Sequence, residues 1–93
     1  MSRKTDAKSL TNKHQSLVHS EQKTVVSHVQ REVNEWFLNT IMIKGFDVPF
    51  KYRRKNLYKS LKNQQVNLTY YPANETVAGF DIEIMNVVRI KVS

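Results

Sequence analysis

The sequence predicts an α+β fold, in which an N-terminal helix packs on a small antiparallel, barrel-like sheet of about five short strands with a short intervening helix. Before position 40, apolar residues recur at spacings of three and four, as on one face of a helix. After it, they alternate with polar residues, as in half-buried strands. The 93 residues are 40% hydrophobic, which is enough for one modest core.

Two parts are expected along the chain, a flexible basic arm over residues 1–20 and a single small domain over residues 21–93. The arm is rich in Ser, Thr, Asn, Gln and Lys, so it buries too little apolar surface to offset the entropy of ordering it. Its four Lys and Arg residues stand against one acid, Asp6. We expect the arm to add non-specific positive charge.

The predicted helix spans residues 21–38. Val25, Val29 and Val33 recur every four residues, and Ser20 is a suitable N-cap. Valine is a mediocre helix former because its branched β-carbon restricts the side-chain rotamers. This helix is therefore expected to be stable only when it is docked on another element.

Alternation of apolar and polar residues predicts the strands, at 41–44, 48–53, 66–71 and 80–92, the last divided by a bulge or bend near Met85. The first two strands would form a hairpin, and residues 72–75 would form a turn. A short helix is predicted at 55–62, with an irregular turn as the alternative.

Positive charge is concentrated in the middle of the chain. The formal net charge is +7, and residues 41–62 carry seven Lys or Arg residues and one acid. Interleaved tyrosines offer flat surfaces for unpaired bases, so we expect a surface that binds nucleic acid, either RNA or single-stranded DNA. The predicted nucleic-acid-binding residues are Lys51, Tyr52, Arg53, Arg54, Lys55, Tyr58, Lys59 and Lys62.

The geometry of this surface depends on the local structure. In a strand over 48–53, Lys51 and Arg53 share the outward face while Phe50 and Tyr52 turn inward. In a helix over 55–62, the lysines line one stripe that continues the same surface.

The alternative function is a small adaptor or assembly subunit that binds an acidic protein surface or a larger complex. Trp36, Phe37 and Leu38 are large apolar residues in succession and would cover more than half of the helix circumference. Part of this patch would dock a partner or a second copy of the chain, giving a homo-oligomer through the 21–38 helix. In the simpler alternative, all three residues are buried.

No residue is predicted to be catalytic, cofactor-binding or metal-binding. The chain has no cysteine and two glycines, and no serine is flanked by a nucleophile elbow. His28 and Glu32 lie four residues apart on the predicted helix, but two ligands do not define a metal site. The composition thus favours a non-enzymatic protein without a cofactor.

Hydropathy gives no segment that would span a membrane, since the longest apolar run, residues 36–43, is short and is interrupted by Asn39 and Thr40. The basic N-terminus is not followed by the apolar stretch of a secretory signal. We therefore expect a cytoplasmic protein.

Overall fold

The computed structural model describes residues 17–93, and this part of the chain contains five β-strands and no helix. The strands are β1 (Val18–Val33), β2 (Trp36–Ile43), β3 (Phe50–Arg54), β4 (Gln65–Val77) and β5 (Phe80–Val92). The predicted α+β class is wrong, and neither the N-terminal helix nor the intervening helix is present. Residues 1–16 of the predicted arm lie outside the described residues, and β1 begins at Val18.

The segment predicted as a helix forms β1 and the start of β2. Val25 is fully buried, whereas Val29 and Val33 are 58% and 38% exposed, so the spacing of four does not mark one buried face. The pairing with β2 shifts between Val25 and Ser27, and this bulge reverses which residues face inward. Branched β-carbons favour an extended backbone, and this preference prevails here.

The strands close into a barrel in the order β1-β2-β3-β5-β4, which confirms the prediction of a small barrel. All neighbouring pairs are antiparallel except β3 and β5, which run parallel and pair at Phe50–Met85 and Lys51–Asn86. The sheet is therefore mixed, and the prediction of a purely antiparallel sheet is wrong. The barrel closes through β1, because its first part pairs with β4 and its last part pairs with β2. The predicted hairpin of β2 and β3 is also confirmed.

Beyond the barrel, β4 and β5 continue as a two-stranded ribbon formed by residues 71–77 and 80–84, and this segment is named the ribbon below. Pairing of β1 with β4 ends at Tyr70, and pairing of β3 with β5 begins at Met85. The predicted turn at 72–75 is wrong because β4 passes through it. Pro72 is tolerated there because, among residues 17–93, β4 has a neighbour on one side only at this point, so the missing N–H breaks no ladder.

Residues 55–64 form a loop along β1 in place of the predicted short helix. The Gln30 side chain accepts from the Tyr58 N–H and donates to the Tyr58 carbonyl. The N–H groups of Leu61 and Asn63 donate to His28 Nδ1 and to the Val25 carbonyl, respectively. Since β1 supplies these partners, the loop backbone is satisfied without helical hydrogen bonds.

The core of the barrel combines side chains from all five strands. Its buried apolar residues are Val25, Ile41, Ile43, Phe50, Tyr52, Val66, Leu68, Tyr70 and Val87. The Phe50 ring packs edge-on against the Tyr70 and Phe46 rings, with centroids 4.8 Å and 5.2 Å apart. Within residues 17–93, Asn39 is the buried polar residue. No helix in the described residues has the length and apolar character needed to cross a membrane.

Candidate nucleic-acid interface

A groove of about 970 Å³ crosses the outer face of β1, β2, β3 and β5 and is bounded on one side by the ribbon. The strand register explains how the groove is built, because residues paired directly across a sheet point to the same side. Arg31, Leu38 and Arg53 form one cross-strand row, and Val29, Thr40, Lys51 and Asn86 form the next. Each row contributes cations to the wall opposite the ribbon.

Trp36 extends this face by one further row. It pairs with Val33 beside the β1–β2 turn, and its indole is 37% exposed. The Lys55 Nζ atom lies 4.4 Å from the ring centroid, and the Arg53 guanidinium carbon lies 5.4 Å from it. These three residues, named the Trp36 cluster below, place an aromatic surface and two cations at one end of the groove.

The cations of this face differ in their acidic partners. Among the described residues, the ion pairs are Lys51 with Glu75 and His19 with Glu21. Lys51 is therefore partly neutralised by the ribbon, whereas no acid in residues 17–93 pairs with Arg31, Arg53 or Lys55. The groove cations that lack an acidic partner in the described residues therefore lie towards the end that holds the Trp36 cluster.

Of the residues predicted to bind nucleic acid, Lys51, Tyr52 and Arg53 line the groove, and Lys55 lies beside it over the Trp36 ring. The alternation predicted for β3 is observed, since Lys51 and Arg53 line the groove while Phe50 and Tyr52 are buried. This outward pair is the part of the candidate interface that the sequence pattern locates most directly.

Tyr52 and Arg54 point the other way. The Tyr52 ring is in the core, only 9% exposed, and Arg54 lies over it with its guanidinium carbon 5.1 Å from the centroid. Burial raises the pKa of the Tyr52 phenol, and the positive charge of Arg54 opposes this effect. Tyr52 is therefore mainly a core residue, although it also contributes to the groove lining.

Tyr58, Lys59 and Lys62 lie on the 55–64 loop, outside the groove lining. The continuous lysine stripe predicted for this segment is absent because the segment is not helical. Tyr58 is 55% exposed, but its backbone is held by Gln30 on the inner side of β1. These residues do not belong to the surface that carries Lys51 and Arg53.

The apolar triplet predicted to dock a partner is divided between the two faces of β2. Trp36 and Leu38 lie on the groove face, whereas Phe37 lies on the other face and pairs with Arg54. The helix through which self-association was predicted does not exist. From the sequence, Trp36 was predicted to dock a protein partner. In the structure it shares one surface with Lys51 and Arg53, which were predicted to bind nucleic acid.

Arg31 is the groove cation that the sequence analysis missed. It lies within the segment predicted as a helix, residues 21–38, and it joins the site only because β1 is a strand that pairs Arg31 with Leu38. Reading the residues from 24 to 33 as an extended segment rich in β-branched side chains would have placed it there.

Residues 17–93 contain no group of three or more His, Asp or Glu side chains placed to hold a metal ion. Comparisons of the chain with protein-family models, with curated proteins and with solved structures gave no match.

Proposed function

We propose that this protein is a small non-enzymatic module that binds nucleic acid, RNA or single-stranded DNA, in the groove between the β1–β3 face and the ribbon. The observation that carries the proposal is the Trp36 cluster, in which an exposed indole and two cations without acidic partners in the described residues lie side by side. A polyanion with flat aromatic groups satisfies both features at once.

The cations account for binding of the phosphate backbone. Arg31, Arg53 and Lys55 would each neutralise a phosphate and release its condensed counterions, so affinity falls as salt increases. The chain carries a formal net charge of +7, which also speeds the encounter with a polyanion. These contacts position the ligand but do not read its sequence.

The indole of Trp36 accounts for a preference for bases. In the free protein the ring is covered by Lys55 and Arg53, whose charges are attracted to its π face. A base that stacks on Trp36 takes the place of one cation, which is then free to contact a phosphate. Exchange of this kind favours nucleic acid over a polyanion that has no bases.

The strand order supports the proposal by analogy. A five-stranded barrel ordered β1-β2-β3-β5-β4 has the connectivity of OB-fold barrels, which bind oligonucleotides or oligosaccharides across β2, β3 and the adjoining loops. Fold alone does not determine function. Between these two ligand classes, the unpaired cations favour the oligonucleotide.

The test is a binding titration that follows the fluorescence anisotropy of labelled oligonucleotides of about 12 nucleotides. Salt is varied from about 50 to about 200 mM. We expect affinity to fall steeply across this range. Arg53→Ala should weaken binding and reduce the log–log salt slope by about one.

Lys91→Ala is the matched control, because it removes the same charge from an exposed residue of β5 that lies outside the groove lining. Equal effects of the two substitutions would contradict the groove as the binding site. Polyglutamate is the competing probe for the adaptor hypothesis. If it binds as tightly as the oligonucleotides, the site takes an acidic protein surface instead of nucleic acid.

A further inference from the structure

The ribbon has two chemically different faces. Val77 and Ile84 line the groove, and Phe80 and Ile82 share their face because Val77 pairs with Phe80 and side chains alternate along β5. The register of β4 and β5 is unbroken from residue 70 to the turn, so no bulge interrupts this alternation. Glu75 and Thr76 of the ribbon also line the groove, and Glu75 is paired with Lys51. The groove side of the ribbon is therefore apolar apart from these two residues.

The opposite face of the ribbon is polar and acidic. Asn74 pairs with Glu83, Thr76 pairs with Asp81, and the Thr76 hydroxyl donates to the Asp81 carboxylate at 3.0 Å. A phosphate backbone is repelled from this side. A polyanion that meets the ribbon is therefore directed to the groove side.

Exposed apolar area on the groove side is concentrated at the tip of the ribbon. Phe80 is 73% exposed, Val77 46% and Ile82 41%. These apolar side chains are in contact with water, and a bound ligand would cover them. Val77 lines the groove together with Arg31 and Arg53, and Phe80 and Ile82 continue its face beyond the lining. The groove thus has one cationic wall and one wall that is apolar except for Glu75, which is paired with Lys51.

We propose that the ribbon is the element that selects single-stranded over duplex nucleic acid, with the unpaired bases packed on Val77, Phe80 and Ile82 while the phosphates face Arg31, Arg53 and Lys55. This inference rests on the proposed function and specifies its ligand class. In a single strand, the unpaired bases other than the one stacked on Trp36 can turn to the ribbon while the phosphates meet the cations. In a duplex the base faces are stacked inside, so the apolar wall has nothing to contact.

The test compares Phe80→Ala with the wild type on labelled oligothymidine and on a duplex of the same length, about 12 nucleotides. Because the Phe80 side chain is largely in solvent, the variant should melt at the wild-type temperature. We expect the wild type to prefer the single strand. The variant should lose about tenfold in single-strand affinity, since stacking on an aromatic ring is worth that much per base.

Two further measurements show whether the effect of Phe80→Ala is specific to single strands. Affinity for the duplex and the salt slope should stay unchanged in Phe80→Ala, because no phosphate contact is removed. Val88→Ala is the control, since Val88 is 58% exposed on β5 but lies outside the groove lining. It should bind both oligonucleotides as the wild type does.

Equal affinity of the wild type for single strand and duplex, or a Phe80→Ala variant that retains full single-strand affinity, would overturn the role of the ribbon. In those cases salt-dependent binding through Arg53 would still support the proposed function. If the wild type binds neither oligonucleotide, the proposed function and this inference both fail.

Discussion

Among single residues, Ala78 in the turn between β4 and β5 adopts a strained backbone conformation. Ala78 and Gly79 both have positive φ, at 51° and 84°, as a type I′ hairpin turn requires. Glycine adopts this conformation freely, whereas alanine is disfavoured there by contact between its β-carbon and the backbone. The ribbon is therefore less stable than its turn geometry allows.

Ala78→Asn should raise the free energy of unfolding by about 1 kcal/mol, because asparagine tolerates the left-handed conformation and Asn-Gly is the preferred pair in this turn. Thermal denaturation checks this prediction. Gly79→Ala is the matched variant of opposite sign. A β-carbon there would meet no atom within 4 Å, so its cost of about 1 kcal/mol would come from the backbone alone.

Tyr52 makes the stability of the barrel sensitive to alkaline pH. Burial raises the pKa of its phenol above the ordinary value of 10.0, so the fold favours the neutral form. The stability due to this preference is fully present below about pH 10, the pKa in the unfolded chain, and is lost as the pH rises through the higher folded pKa.

Tyr52→Phe should remove this alkaline component, because phenylalanine fills the same space without an ionisable group. Melting temperatures from about pH 8 to about pH 11 should fall less in the variant than in the wild type. Tyr58→Phe, at an exposed tyrosine, should follow the wild-type curve. Parallel curves for wild type and Tyr52→Phe would contradict this account of the buried phenol.

At the scale of elements, one histidine links β1, β2 and the 55–64 loop. His28 Nδ1 accepts from the Leu61 N–H at 2.9 Å, so Nε2 carries the proton and donates to the Asn39 side-chain oxygen at 2.7 Å. The Asn39 amide in turn donates to the Phe37 carbonyl. This chain of hydrogen bonds holds the loop against the end of the barrel.

His28→Ala should destabilise the protein by about 1–3 kcal/mol, because it leaves the oxygen of the buried Asn39 and the Leu61 N–H without their partner. Hydrogen exchange of the Leu61 amide should accelerate more than exchange in the core strands. His19→Ala is the control, since His19 bonds Thr69 and Glu21 at the exposed surface. A loss of stability as large in His19→Ala would refute the special role of His28.

The elements also show what a single sequence can reveal. The β2–β3 hairpin and the outward placement of Lys51 and Arg53 follow from local alternation, which reports directly on the two faces of a strand. β1 was misread because its bulge near Val26 depends on how one strand bends to pair with both β2 and β4. That bend is set by closure of the barrel and leaves no local pattern.

The sequence analysis assigned the residues of the candidate site to two separate elements for the same reason. Trp36 and Arg31 seemed to belong to a helix, remote from the basic segment, and only the pairing of β1, β2 and β3 places them beside Arg53. Conversely, Lys59 and Lys62 were predicted to join the site through a helix over 55–62. The chain does not form this helix, because β1 provides hydrogen-bond partners for the loop backbone.

At the scale of the whole molecule, the charge distribution and the shape of the groove act together. The face of the ribbon that is turned away from the groove is acidic, whereas the β1–β3 face on the other side of the groove is cationic. In the proposed complex, a polyanion would thereby be oriented as well as attracted. This is why both Arg53→Ala, through salt dependence, and Phe80→Ala, through strand preference, are informative.

We propose that the ligand occupies the groove at the Trp36 cluster, and Trp36 itself reports on binding there because it is the single tryptophan of the chain. The decisive measurement follows Trp36 emission and the anisotropy of a labelled single strand in one titration. We predict that the emission changes and saturates with the anisotropy, since a stacked base displaces Lys55 from the indole. Binding seen by anisotropy with unchanged Trp36 emission would contradict this claim and place the ligand elsewhere on the protein.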